Sequence, residues 1–236
     1  FVFNFKLFSV LKLLKGTVFK IIEISNNSYI QFLFLGLILS NKAYVMKKII
    51  EQTLSQSFSY TAYRAYVAEL IAEGKSTGNE QSNDLLHYSE LNEVRMNRLE
   101  KTVTVGAAVK NKITQLDQNY IWLILAEGWC GDAAQILPVI YKMSALSEKI
   151  SLKIALRDAN DELMHHFLTN GGKAIPKLIV LNAATLEVLG DWGPRPTAAK
   201  ELIETYKTIH NKIDETAKIA LQKWYLQDKG VSIQNE

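Results

Sequence analysis

Apolar residues recur at helical steps in the first part of the chain, and in the second part they gather into short unbroken runs. From Met46 to Asn119 the pattern is helical. Tyr60, Tyr63, Tyr66, Val67, Leu70 and Ile71 return every three or four residues, which predicts an amphipathic helix with Gly74 as its stop. A polar loop, Lys75 to Asn83, follows. Leu85, Tyr88, Leu91, Asn92, Arg95, Met96 and Leu99 then mark a second helix, capped by Asn83 or Asp84. Tyr88, Asn92, Arg95 and Leu99 share one of its faces. They either turn a polar pair toward a cleft or form a mixed boundary face.

The period changes at Tyr120. Residues Tyr120 to Ala126 form one continuous apolar run, which predicts a strand buried on both faces of a sheet covered by helices. It ends at Glu127-Gly128-Trp129-Cys130-Gly131-Asp132. Helical spacing resumes through Ala133, Leu137, Ile140, Tyr141 and Leu146, with Pro138 inside it. Ile150 to Leu156 reads as a strand, Asp161 to Thr169 as a short helix, and Gly171-Gly172 as a turn. Lys177 to Leu181 is a second buried strand, and Thr185 to Leu189 a third that pairs with it as a hairpin. A Pro194-Arg195-Pro196 corner leads to helical sequence from Thr197 to about Gln227, broken near Asn211. The order βαβα followed by ββα places the chain in the α/β class.

The length of 236 residues allows one domain with an appendage or two small ones, and a composition that is 48% hydrophobic and 22% charged is globular. The single cysteine, Cys130, excludes an intrachain disulfide and a thiolate zinc cage, and it suits a reducing, cytoplasmic compartment. Charge changes the picture only when it is divided. Residues 1–45 hold five lysines against Glu23, a net of +4, so the total of +3 leaves −1 for residues 46–236. The same segment holds seven of the nine Phe and no Trp, and it opens on Phe1. Three readings compete for it. The apolar run at 29–39 can be a secretory signal core or a membrane anchor, although no Ala-x-Ala pattern follows and Ser40, Asn41 and Lys42 stop its extension to a full span. The segment can also be a functional folded piece. The reading adopted here is that it is translated upstream sequence and that the protein starts at Met46. On that basis 46–119 is an N-terminal helical region, 120–210 the core, and 211–236 a C-terminal helix and tail, with no membrane association.

Four features in order carry a resemblance. Trp129-Cys130-Gly131-Asp132-Ala133 lies between a hydrophobic strand and a helix. Pro138 lies eight residues beyond the cysteine, Ile175-Pro176 lies just before the strand at Lys177, and Gly193 follows the hairpin. The stretch Tyr120 to Tyr206 resembles the thioredoxin family, whose Trp-Cys-Gly-Pro-Cys site, helix-kinking proline, cis-proline and later glycine occupy these places. The helical part with Tyr88-x-x-x-Asn92-x-x-Arg95 further resembles a bacterial subfamily with an N-terminal helical extension. The resemblance implies a thioredoxin-like fold, a central mixed sheet flanked by helices, with helical additions at both ends.

The departures from that pattern matter as much. Ala133 replaces the resolving cysteine, so the internal thiol that would release a mixed disulfide is missing. Ile124 stands where thioredoxins bury an Asp six residues before the first cysteine, an aspartate with no task once the second thiol is gone. Cys130 at a helix start sees unpaired N–H groups that favour its thiolate, while Asp132 opposes it by like charge. Ile175 and Pro176 imply a groove for an extended partner, bordered by Trp129, Trp192, Gly193 and Arg195. The expected function is therefore a monothiol oxidoreductase whose partners are protein or low-molecular-weight thiols and disulfides. The alternatives are a redox-inactive binding or chaperone-like module, and a membrane-tethered redox protein if residues 1–45 are genuine.

Other constellations imply no cofactor, metal or nucleic acid. His165 and His166 are adjacent on a helix and diverge, and His87 and His210 sit among polar helical residues. Gly171-Gly172 lacks the strand and helix of a phosphate cradle. The C-terminal lysines alternate with Glu201, Glu204, Asp214 and Glu215, the mark of a solvated face.

Overall fold

The structure is a computed structural model that describes residues 28–236, with side chains from residue 41 onward. The first helix, α1 (Ser28–Ser55), runs through Met46 without a break. The lysine-bearing stretch before Ser28 lies outside the described residues. The chain forms two compact units that meet between Lys48 and Ile49, and the sheet and the cysteine belong to the unit Ile49–Glu236. Among the described residues no helix is long and apolar enough to cross a membrane.

Two helices precede the sheet, each with a hydroxyl cap. In α2 (Tyr60–Ala72) the Ser59 hydroxyl accepts the Ala62 N–H, and in α3 (Asn83–Thr102) Ser82 accepts the Leu85 N–H. The second cap is therefore one residue earlier than the sequence spacing placed it, because Asn83 and Asp84 already belong to the first turn. A further short helix, α4 (Ala107–Thr114), leads into the sheet.

The strands are β1 (Tyr120–Ala126), β2 (Ile150–Leu156), β3 (Lys177–Asn182) and β4 (Val188–Trp192), in spatial order β2-β1-β3-β4. β1 runs parallel to β2 and antiparallel to β3, and β3 pairs antiparallel with β4. A central β1 explains its unbroken apolar sequence: Leu123, Ile124, Leu125 and Ala126 have no exposed surface. Burial of each of the larger aliphatic side chains is worth about 1.5–3 kcal/mol. Between β1 and β2 lies α5 (Gly131–Ser144), which packs against β2 and against α3 and α4 and buries Ala133 to Ile140 without a gap.

Local chemistry shifted two elements from the sequence reading. The helix placed at Asp161 to Thr169 is only a 3-10 turn (Asp158–Asn160) and α6 (Asp161–Met164), after which a Thr169–Gly172 bridge with left-handed Asn170 and Gly171 takes over. The hairpin's outer strand begins at Val188, not Thr185. The Asn182 side chain accepts the N–H groups of Ala184 and Thr185, and Leu186 is left-handed, so the turn consumes those residues. The last part comprises α7 (Thr197–His210), left-handed Asn211, α8 (Glu215–Asp228) and α9 (Val231–Asn235).

Candidate functional site

At the end of β1 the chain must turn sharply, and three partners hold the turn. The Gly128 N–H donates to the Thr77 hydroxyl at 2.8 Å, and the Gly128 carbonyl accepts from the Asn92 amide at 2.8 Å. The Cys130 N–H donates to the Glu127 carbonyl at 3.1 Å. Asn92 is buried, so the polar face of α3 serves to clamp the loop that carries the cysteine. Arg95 in turn donates to the Asn92 side-chain oxygen at 2.7 Å. Trp129 lies beneath Arg157, whose guanidinium is 4.9 Å from the ring centroid.

Cys130 caps α5, and its sulfur accepts the Ala133 N–H at 3.4 Å. The thiol donates to the Ile175 carbonyl, also at 3.4 Å. The Ile175–Pro176 peptide is cis, and both residues are buried. Gly193 lets the hairpin end come close to that peptide: with φ at +120°, a Cβ there would stand 2.3 Å from the Pro176 carbonyl oxygen. The sulfur is thus set directly against the bent segment, but only 7% of the cysteine is exposed.

The electrostatic balance at the sulfur goes against the thiolate. Burial and then the Asp132 charge push the Cys130 thiol up to about 12, outweighing the Ala133 and Asp132 N–H groups and Arg195. The sequence left the helix start and Asp132 opposed, and burial decides the balance: two backbone donors do not repay the desolvation of a thiolate.

Asp132 is itself fully engaged. One carboxylate oxygen accepts from Arg195 Nε at 2.9 Å and Nη2 at 2.7 Å, and the other accepts the Tyr225 hydroxyl at 2.8 Å. Burial acts to lower the Arg195 pKa, yet the bond to Asp132 holds it above its ordinary value. Tyr225 is raised by burial and by the same carboxylate. Helix α8, which supplies Tyr225, therefore seals the cysteine end of α5 together with the Pro194–Pro196 corner.

A second carboxyl lies on the other side of the cysteine. Glu127 has no exposed surface; one oxygen accepts the Asp158 N–H at 3.0 Å, and the other has no hydrogen-bond partner. Burial raises its pKa, and the Asp158 charge adds to that against the hydrogen bonds from Thr77 and Asp158.

The structure brings Trp129, Cys130, Gly131, Asp132, Ala133, Ile175, Pro176, Gly193 and Arg195 together. Tyr88 reaches α8, where its hydroxyl meets Glu215 and Lys218, while Asn92 and Arg95 face the cysteine loop. Trp192 donates to Glu236 at 3.0 Å and lines a cavity of about 510 Å³ with Trp122, Val180 and Ile113, a cavity whose lining does not include Cys130. Sequence reasoning missed Thr77, Glu127 and Tyr225 as parts of the site. Tyr225 had a signal, because Ala217, Leu221 and Tyr225 repeat at four-residue steps as a buried stripe; Thr77, in a polar loop, had none. Among the described residues no cluster of His, Cys, Asp and Glu could hold a metal.

No curated protein matches the chain. Two solved structures resemble it. One is an HIV epitope-scaffold at 20% identity and a TM-score of 0.42, covering 61% of this chain and 82% of that one. The other is a protein of unknown function from Pseudomonas aeruginosa at 17% identity and a TM-score of 0.41, covering 75% of this chain and 98% of that one. A family model described as thioredoxin matches residues 78–207. Since that match spans more than half its length, the chain belongs to the thioredoxin family.

Proposed function

We propose that the protein is a monothiol thiol–disulfide oxidoreductase that rests in a closed state. The observation that carries this reading is the Cys130 sulfur 3.4 Å from the Ile175 carbonyl, beside the cis Ile175–Pro176 peptide where a thioredoxin-family partner segment would lie. In the reaction the Cys130 thiolate attacks a partner disulfide and its proton passes to solvent. A Cys130–partner disulfide forms as the partner's own S–S bond breaks, and the second partner sulfur leaves as a thiol. With Ala133 in place of a resolving cysteine, an external thiol attacks the partner sulfur; the Cys130–partner bond breaks and Cys130 regains its proton. Such thiols are abundant in a reducing compartment, and a cytoplasmic site of action belongs to the same proposal.

The raised thiol favours a second reading, in which the cysteine is chemically idle and the protein is a thioredoxin-fold binding module. At pH 7 a thiol at about 12 is ionised to roughly one part in 10⁵, against a few per cent for a free cysteine. The monothiol reading therefore requires the buried Cys130 sulfur to become exposed when a partner engages. Incubation of the folded protein with a low-molecular-weight disulfide, followed by intact-mass measurement, separates the two. A mixed disulfide on Cys130, absent from Cys130→Ser, supports the oxidoreductase. A thiol that stays free in the folded protein and reacts only after denaturation leaves the binding module.

A further inference from the structure

One row of the sheet lacks a side chain where its neighbours carry large ones. Trp122 on β1 lies opposite Val180 on β3, and Val180 lies opposite Gly190 on β4, so the three stand in line on a single face. Gly190 adds nothing to that line, and a Cβ built there would meet no atom within 4 Å. The pairing slips just beyond Val180, so β4 is bulged at the same place. All three residues line the cavity of about 510 Å³, which Ile113 of α4, Ile140 of α5 and Ile233 of α9 close from the other sides. Its volume falls within the range of roughly 300–1,000 Å³ of small-molecule sites, which are likewise apolar with a few placed polar groups. The row spans two interstrand spacings, roughly 10 Å, a length that suits an extended chain.

The polar lining decides which chemistry fits. Three charged side chains face the cavity, Lys112, Asp191 and Glu236. Asp191 accepts from Lys177 Nζ at 2.9 Å. Glu236 accepts the Trp192 indole N–H at 3.0 Å and the Thr197 N–H at 2.8 Å. Gln234 is committed as well, accepting the Gly106 N–H at 2.9 Å and donating to the Thr104 carbonyl at 3.1 Å. Lys112, in the last turn of α4, is the one charged lining residue with neither an ion pair nor a hydrogen bond among the described residues. An apolar chamber with a single uncommitted ammonium complements an apolar chain that ends in one negative charge; a second charge would have Asp191 and Glu236 for neighbours.

We propose that this cavity binds an aliphatic monocarboxylate, its chain along Trp122, Val180 and Gly190 and its carboxylate on Lys112. Cys130 does not line the cavity, so the site is independent of the oxidoreductase reading and holds whether or not the thiol reacts. The test is titration of the full chain with octanoate, read by calorimetry and by tryptophan emission, since Trp122 and Trp192 line the cavity. Saturation in the millimolar range or tighter is expected for a ligand of about ten non-hydrogen atoms. Gly190→Phe fills the row with a residue that strands favour and should weaken binding by about tenfold or more with thermal unfolding preserved. Lys112→Gln, at an exposed position, should weaken octanoate by about threefold or more and leave 1-octanol unchanged. Cys130→Ser should bind octanoate as the wild type does. Absent saturation overturns the site, as does wild-type affinity for octanoate in a folded Gly190→Phe or in Lys112→Gln. If Gly190→Phe does not fold, Lys112→Gln with octanoate against 1-octanol decides alone: equal losses for the two ligands, or none, overturn the carboxylate seat.

Discussion

Glu127 and Asp132 bracket the same cysteine and are both buried, yet they are treated in opposite ways. Asp132 has three donors on its carboxylate, two from a guanidinium and one from a phenol. Glu127 has one oxygen with no partner and a pKa raised by burial. A buried carboxyl is tolerated by pairing, as at Asp132, or by a shift toward its proton-bearing form, the direction in which burial drives Glu127. Pairing has a consequence for the sulfur: the negative charge of Asp132 stays beside Cys130 and helps to hold the thiol protonated.

The largest expected effect tests that coupling. Alkylation of Cys130 by iodoacetamide at pH 8 should be slower in the folded protein than in urea by a factor on the order of 10³, because so little thiolate is present. Asp132→Asn should recover at least about tenfold of that rate, since the like charge is gone and Arg195 remains. An unchanged rate in Asp132→Asn would make burial the sole cause.

Next comes the pair itself. Arg195→Leu leaves a buried carboxylate short of its cation and should lower unfolding free energy by about 3–5 kcal/mol in urea titrations. Tyr225→Phe removes a single donor to the same carboxylate, and about 1–3 kcal/mol is expected. A loss smaller in Arg195→Leu than in Tyr225→Phe would show that the phenol, not the guanidinium, secures Asp132.

The smallest effect belongs to Glu127. Glu127→Gln keeps the shape of a carboxyl whose neutral form burial favours, so stability at pH 4, below the unfolded value, should change by no more than about 1 kcal/mol. A raised acid binds its proton more tightly when folded, so its contribution is fully present below the unfolded value of 4.5 and falls as pH rises from there through the folded value. Glu127→Gln should flatten that fall in unfolding measurements from pH 4 to 8. At the alkaline end the sign is the same for Cys130: stability is lost as pH rises from 9 to about 12, and Cys130→Ala should remove the decline. A rise in stability with pH in either window would contradict the raised values.

Much of the architecture was legible because burial imposes a period. The bounds of β1 match the apolar run Tyr120 to Ala126 because that strand is interior and short, and those of β2, at the sheet edge, match Ile150 to Leu156, where Ile150, Ile154 and Ala155 are buried. The outer hairpin strand was misplaced because its position depends on the Asn182 side chain bonding the turn, not on hydrophobicity. Helix α9 was missed for a similar reason: five residues carry too few periods to register.

The sequence by itself determined the fold class, the lone cysteine after a buried strand, and the missing resolving thiol, all of which are matters of residue identity and spacing. Only the tertiary structure decided the state of that cysteine. Arg195 and Tyr225 come from segments 63 and 93 residues away from Asp132, and Thr77 holds Gly128 from 51 residues away. Desolvation and charge act through space, so whether a sulfur at a helix start is a thiolate or a buried thiol depends on what the rest of the chain lays over it.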